Sequence, residues 1–172
     1  MGRAKKQIEK KKKKAEKLKA QTASGSATVA RNKKAGFDFK LGKDIIAGIV
    51  LQGSEVKSLR LGNAQMKGAF AKIIDGEVFL FNCHISEYKH ANRHNHEPDR
   101  VRKLLLNRIE IDRLEMEMAK TNQTLVASKI FFKQNKAKVL LHLAEGKNKG
   151  DKRQSLKKRQ QDMDIKRAVK DY

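Results

Sequence analysis

The stretch GSEVKSLRLGN, residues 53–63, sets a carboxylate, Glu55, beside two cations, Lys57 and Arg60. Three positions apart, Lys57 and Arg60 share one face of a helix and suit phosphate. A phosphate-gripping surface gains nothing from an acid, so Glu55 has two readings. In the first turn of a helix it complements the macrodipole. On an open face it accepts a hydrogen bond from the amino group of an unstacked base, as RNA loops display. A second set of candidate side chains is His84, His90, His94 and His96, with Cys83 adjacent. Zinc takes three or four ligands at defined spacing, and no second cluster of that kind accompanies these histidines. They are read as polar loop residues meeting RNA or solvent, with no metal. Catalytic signatures are also missing: no phosphate-cradling glycine loop, no GxSxG, no HExxH. A nuclease using His84 or His96 with a nearby acid is the one enzyme reading left open. The chain is otherwise read as non-catalytic and without a cofactor.

The charge says what the positioned cations are for. The 172 residues carry a formal charge of +22, and the excess is concentrated at the ends. Residues 1–20 hold 10 basic and 2 acidic side chains, and residues 147–172 hold 10 and 4. Cationic ends on a more balanced body point to a polyanion. No run approaches the roughly 20 apolar residues of a membrane span, and the N-terminus lacks the apolar stretch of a secretory signal. One cysteine makes no internal disulfide, which fits a reducing compartment. Nucleic acid in the cytoplasm, and no membrane, is the reading.

The elements that must hold these residues can be read in outline. Residues 1–24 form a Lys-rich extension too poor in apolar side chains to fold alone, and QTASGSAT reads as a linker ending near Val29. Residues 45–51 suit a buried strand. Ser54 is the expected N-cap of a short helix with Val56 and Leu59 inside and Gly62 at its stop. Asp75-Gly76 between two β-rich runs, 70–74 and 78–85, predicts a hairpin with positive φ at both turn residues. Residues 86–99 read as a polar loop, 100–106 as a helical turn, and about 108–119 as a helix capped by Asn107 and Glu110, with Ile111, Leu114 and Met118 inward. A second hairpin joins 125–133 to 137–144 through KQNK, with Lys136, Lys138 and His142 on its polar face. The fold class is mainly β with helices: an OB-like antiparallel barrel of about six strands, two to three helices and basic disordered tails. The body spans 25–146, and the tail, 147–172, holds a latent basic helix whose like charges oppose it outside a phosphate-lined channel.

Several segments together resemble one family: small protein B (SmpB), the tmRNA-binding proteins of bacterial trans-translation. They are GSATVARNKKA (25–35), AGIVLQGSEVKSLR (47–60), DGEVFLFNCHIS (75–86), NRHNHEPDRVRKLLLN (92–107) and GKNKGDKR (146–153). The resemblance implies a non-catalytic adaptor. It would bind the tRNA-like domain of tmRNA and, with elongation factor Tu, enter a stalled ribosome, its tail in the decoding centre and empty mRNA channel of the small subunit. It implies a monomer when free. The RNA-facing candidates are Lys33, Lys34, Glu55, Lys57, Arg60, Asn92, Arg93, Arg102, Lys103, Leu105, Asn107 and Lys138. The ribosome-facing candidates are Gly146, Lys147, Asp151, Lys152, Arg153, Lys157, Lys158 and Arg159. The chain departs from the family pattern at Ile46, where Glu is usual, at Glu87 and Ala91, and at Gly150, where a ring is common.

Overall fold

A computed structural model describes residues 26–91 and 95–168 of the chain. In order, the elements are β1 (Ser26–Arg31), the one-turn α1 (Ala35–Asp38), β2 (Phe39–Ile49), α2 (Gly53–Arg60), β3 (Ala64–Gln65), β4 (Phe70–Ile74), β5 (Glu77–Phe81), β6 (His84–Ile85), β7 (Arg102–Leu105), α3 (Arg108–Lys120), β8 (Thr124–Lys133), β9 (Lys136–Gly146) and α4 (Lys149–Ala168).

Antiparallel pairings run β8–β4–β5–β7–β2–β9 and return from β9 to β8, so six strands form a ring. Each strand of the ring thereby has a partner on both sides along at least part of its length. β1 lies along the remaining stretch of β8, Ser26 opposite Lys133. The inward side chains, among them Ala47, Val78, Leu80, Leu104, Leu125, Ile130, Val139 and Leu141, are almost fully buried. Ile111 and Leu114 of α3 join that core, with Met118 packed against it.

Local chemistry explains most element ends. Asp75 and Gly76 carry φ of 52° and 72°, as the β4–β5 turn requires, and Phe70 stacks on its cross-strand partner Phe81 at 5.4 Å. Gln134 and Asn135, at φ of 49° and 62°, make the same kind of two-residue turn between β8 and β9. Asn82, at φ 53°, ends β5, so the run 78–85 is two strands rather than one. Asn107 caps α3 in a box with Glu110, whose carboxylate accepts from the Asn107 N–H at 3.1 Å. Asn107→Ala should lower stability by about 1 kcal/mol while Asn107→Ser costs only a few tenths, read from urea unfolding midpoints.

Four expectations need correcting. Residues 102–105 are a strand, not a helical turn; Arg102 and Leu104 face inward, Lys103 and Leu105 outward. The segment read as a linker up to Val29 contains β1, because the open edge of β8 offers it a ladder. α2 is capped by Gln52, not Ser54, with Glu55 at the third helical position. His142 is not on a solvated face: it is 7% exposed beside a small second cluster of Ala35, Val126 and Ala144.

Candidate nucleic-acid interface

Glu55 answers the question its neighbours raise. Its side chain is fully buried. One carboxylate oxygen accepts from Arg100 Nε at 2.9 Å and Arg102 Nε at 2.8 Å; the other accepts from Arg100 Nη2 at 2.6 Å and the Gln52 N–H at 2.7 Å. Burial alone would raise its pKa. The hydrogen bonds from Arg100, Gln52 and Arg102, with the Arg102 charge, outweigh burial and hold it below its usual 4.5. Arg102 Nη1 donates to the carbonyls of Cys83 and Arg100, and Nη2 donates to that of Pro98. Among the described residues no buried side-chain N or O lacks a partner. Glu55 thus offers no free lone pair to a base, and Arg102, also fully buried, offers no donor to a phosphate. Both are RNA-facing candidates of the sequence, and both are corrected to a structural ion cluster. It ties α2 to β7 and to the loop before it.

The same loop is fastened by His96, 3% exposed, whose Nδ1 lies 3.0 Å from Ser54 Oγ and whose Nε2 lies 3.0 Å from the Ile85 carbonyl. His96 is therefore a brace, not a residue meeting RNA or solvent. His84 pairs with Asp99 at 2.9 Å. No group of three or more His, Cys, Asp or Glu among the described residues is arranged to hold a metal. Burial pushes the Cys83 thiol up to about 11, which removes it as a nucleophile.

The exposed candidates gather on the outward face of β7, β2 and β9. Gly48 pairs with Leu105 on one side and Lys138 on the other, so those two side chains flank a position without one. A Cβ at Gly48 would sit 3.1 Å from that of Leu105, so glycine is what lets the strands present a flat surface there. Two positions along β2, Ile46 is 52% exposed, and Leu105 is 54% exposed. Beside them runs a groove of about 310 Å³ floored by Ile49, Leu51, Val56 and Phe132 and edged by Lys136 and Lys138. Arg60 reaches its rim, Nη2 donating to Asn135 Oδ1 at 3.3 Å, with the guanidinium 6.0 Å from the Phe132 ring. A neighbouring hollow of about 280 Å³ brings Ile46, Leu105, Asn107 and Lys138 together with the acidic Glu110 of α3.

Other candidates stand apart. Lys57 is exposed, its ammonium 5.6 Å over the Tyr88 ring. Lys103 is engaged by Glu77. Lys33 and Lys34 are exposed at the turn before α1. Asn92 and Arg93, and the side chains of Lys158 and Arg159, lie outside the described residues, as does the extension 1–24. The sequence places Lys136 on the polar face of its hairpin without making it a candidate, and it marks Ile46 only as a departure from the family pattern; a lysine after a two-residue turn and an isoleucine at an outward strand position are the available signals.

A different chemistry surrounds the tail. Gly146 ends β9, and the Lys147 N–H donates to the Asp38 carbonyl at 2.9 Å while its ammonium donates to the Gly36 carbonyl at 2.8 Å. Lys152 pairs with the Asp38 carboxylate at 3.1 Å. Asp151, Arg153 and Lys157 are exposed, as are Met163 and Ile165. The tail segment, expected to gain its helix on the ribosome, is helical here from Lys149 to Ala168. No helix among the described residues is long and apolar enough to cross a membrane.

A six-stranded antiparallel ring with an apolar, lysine-edged strand face and a cationic C-terminal helix defines a small β-barrel protein of the oligonucleotide-binding type. Its relatives narrow that class. The family model described as SmpB protein matches residues 29–171, and the chain belongs to the SmpB family. An SsrA-binding protein of Halalkalibacterium halodurans is 46% identical over 83% of this chain and 93% of its own length. One from Streptococcus mutans is 48% identical over 84% and 93%. A solved structure described as "tmRNA-SmpB: a journey to the center of the bacterial ribosome" superimposes with a TM-score of 0.59 at 40% identity, covering 73% of this chain and 92% of that one.

Proposed function

We propose that this chain is the RNA-binding adaptor of trans-translation: the barrel binds the tRNA-like domain of tmRNA, and the C-terminal helix enters the decoding centre and vacant mRNA channel of a stalled ribosome. The observation that carries the first half is the β7–β2–β9 face, where exposed apolar side chains lie among cations. Ile46 and Leu105 offer a surface on which an unstacked base can rest; Arg60, Lys136 and Lys138 reach the phosphates on either side. Lys57, Lys33 and Lys34 extend the cationic field. α3, with Glu110, Asp112, Glu115 and Glu117 against Arg108, Arg113 and Lys120, is the element least suited to phosphate. The protein makes and breaks no bond. It acts as a monomer in the cytoplasm, together with elongation factor Tu on aminoacylated tmRNA.

The test is binding to tmRNA against bulk tRNA over a salt series. Arg60→Ala and Lys138→Ala should each weaken tmRNA binding and flatten the dependence of log K on log salt, by about 0.9 for each phosphate no longer neutralised. Leu105→Ala should weaken tmRNA binding at unchanged slope. Equal affinity for tRNA would leave a generic RNA-binding barrel. The His84–Asp99 pair is what a nuclease reading would use; tmRNA recovered uncut after incubation argues against it, and cutting abolished by His84→Ala would establish it.

A further inference from the structure

The Asp-Lys-Arg triplet at the root of the tail has divided loyalties. Asp151 and Arg153 are exposed, whereas Lys152 turns back onto the body and meets Asp38, each side chain only about one-third exposed (36% and 35%). Asp38 is also the acceptor, through its carbonyl, of the Lys147 N–H at 2.9 Å, and the Lys147 ammonium takes the Gly36 carbonyl at 2.8 Å. Three links therefore converge on the single turn of α1. That turn is seated by Ala35, 2% exposed, in the cluster with Val126 and Ala144, and Phe39 and Leu41 pack against it. The seat lies on β8, β9 and β2, the strands of the ring itself. No such set of bonds is needed to keep a tail merely attached, since β9 already delivers it.

We propose that Asp38 is a positioning residue: with Lys152 and Lys147 it forms a latch that fixes the direction in which α4 leaves the barrel, and Lys152 serves this latch rather than an RNA phosphate. The inference rests on the adaptor reading above. A cationic helix that must enter a channel while the barrel holds another RNA gains from a set exit angle, because the orientation is then not lost to free rotation. One partly exposed pair biases that angle only modestly; the two Lys147 hydrogen bonds restrict it further. Arg153, with no such anchor, is left to meet the ribosome.

Charge exchange tests this. Asp38→Lys and Lys152→Asp should each slow peptide tagging on stalled ribosomes by about fivefold with tmRNA affinity unchanged, and the double variant should return to within about twofold of wild type. A double variant as poor as Lys152→Asp alone would overturn the latch and give Lys152 to RNA. A second readout does not depend on tagging. Spin labels at Lys72→Cys and Gln161→Cys should give a narrow distance distribution in the free protein that broadens with Asp38→Lys. An equally broad distribution in both would overturn the proposal. If wild type fails to tag at all, the adaptor reading fails instead, and the label distances still decide the latch.

Discussion

Glu55→Gln should cost about 3–5 kcal/mol of folding stability, the usual penalty for breaking a buried ion pair from one side. The carboxylate compensates two guanidinium groups, and Arg102 has no solvent to turn to. An amide of the same shape donates where it must accept, leaving Arg102 charged and unneutralised inside the barrel. Against a typical stability of about 5–15 kcal/mol this is a large fraction. The check is urea unfolding at pH 7: a fall in midpoint with the slope preserved. Acid gives a second check. Because the folded pKa of Glu55 lies below its ordinary 4.5, its contribution is complete above that value and is lost as pH falls through the folded pKa. The gap between wild type and Glu55→Gln should therefore close below pH 4.5. A variant as stable as wild type that discriminates poorly between RNAs would reinstate base reading.

Truncation after Gly146 is expected to leave tmRNA recognition intact and to reduce peptide tagging to background. β9 ends at Gly146, so the ring keeps every pairing, and among the described residues none of the buried core side chains belongs to α4. What disappears is the cationic helix and its root. Non-specific RNA binding should weaken and its salt dependence flatten, because 10 basic side chains leave with the tail. Gel shifts with tmRNA and a tagging assay on stalled ribosomes separate the two effects. Parallel loss of both would show that barrel and tail are not divided in this way.

How far the sequence reveals this molecule depends on where each interaction lies along the chain. Both hairpins are legible because positive φ has a local signature, Asp75-Gly76 in one case and KQNK in the other. The cap of α3 is legible because Asn107 and Glu110 are three residues apart. β7 is not, because its inward position 102 is an arginine; alternation of polar and apolar residues fails when the buried side chain is charged. The partner that makes that burial tolerable, Glu55, lies 47 positions away. β1 reads as linker because small and hydroxylated residues dominate SATVAR, and only the waiting edge of β8 orders them. In the proposed interface the pattern repeats. Arg60, Leu105, Asn107 and Lys138 are named as candidates from residue type and family resemblance, whereas the groove between Asn135, the partner of Arg60, and Lys138 exists only once Phe132 is folded beside them.

β1 stands outside the ring, and its outer side is the end of the seven-stranded sheet. Among the described residues no strand pairs with that side, and an unpaired flank of this sort is where copies of a protein add to one another and precipitate. Here the register breaks between Thr28 and Ala30, so an incoming copy finds no straight row of amides to zip along, and Arg31 brings like-charge repulsion. The break and the charge together deny that edge the regular pairing a second copy would need.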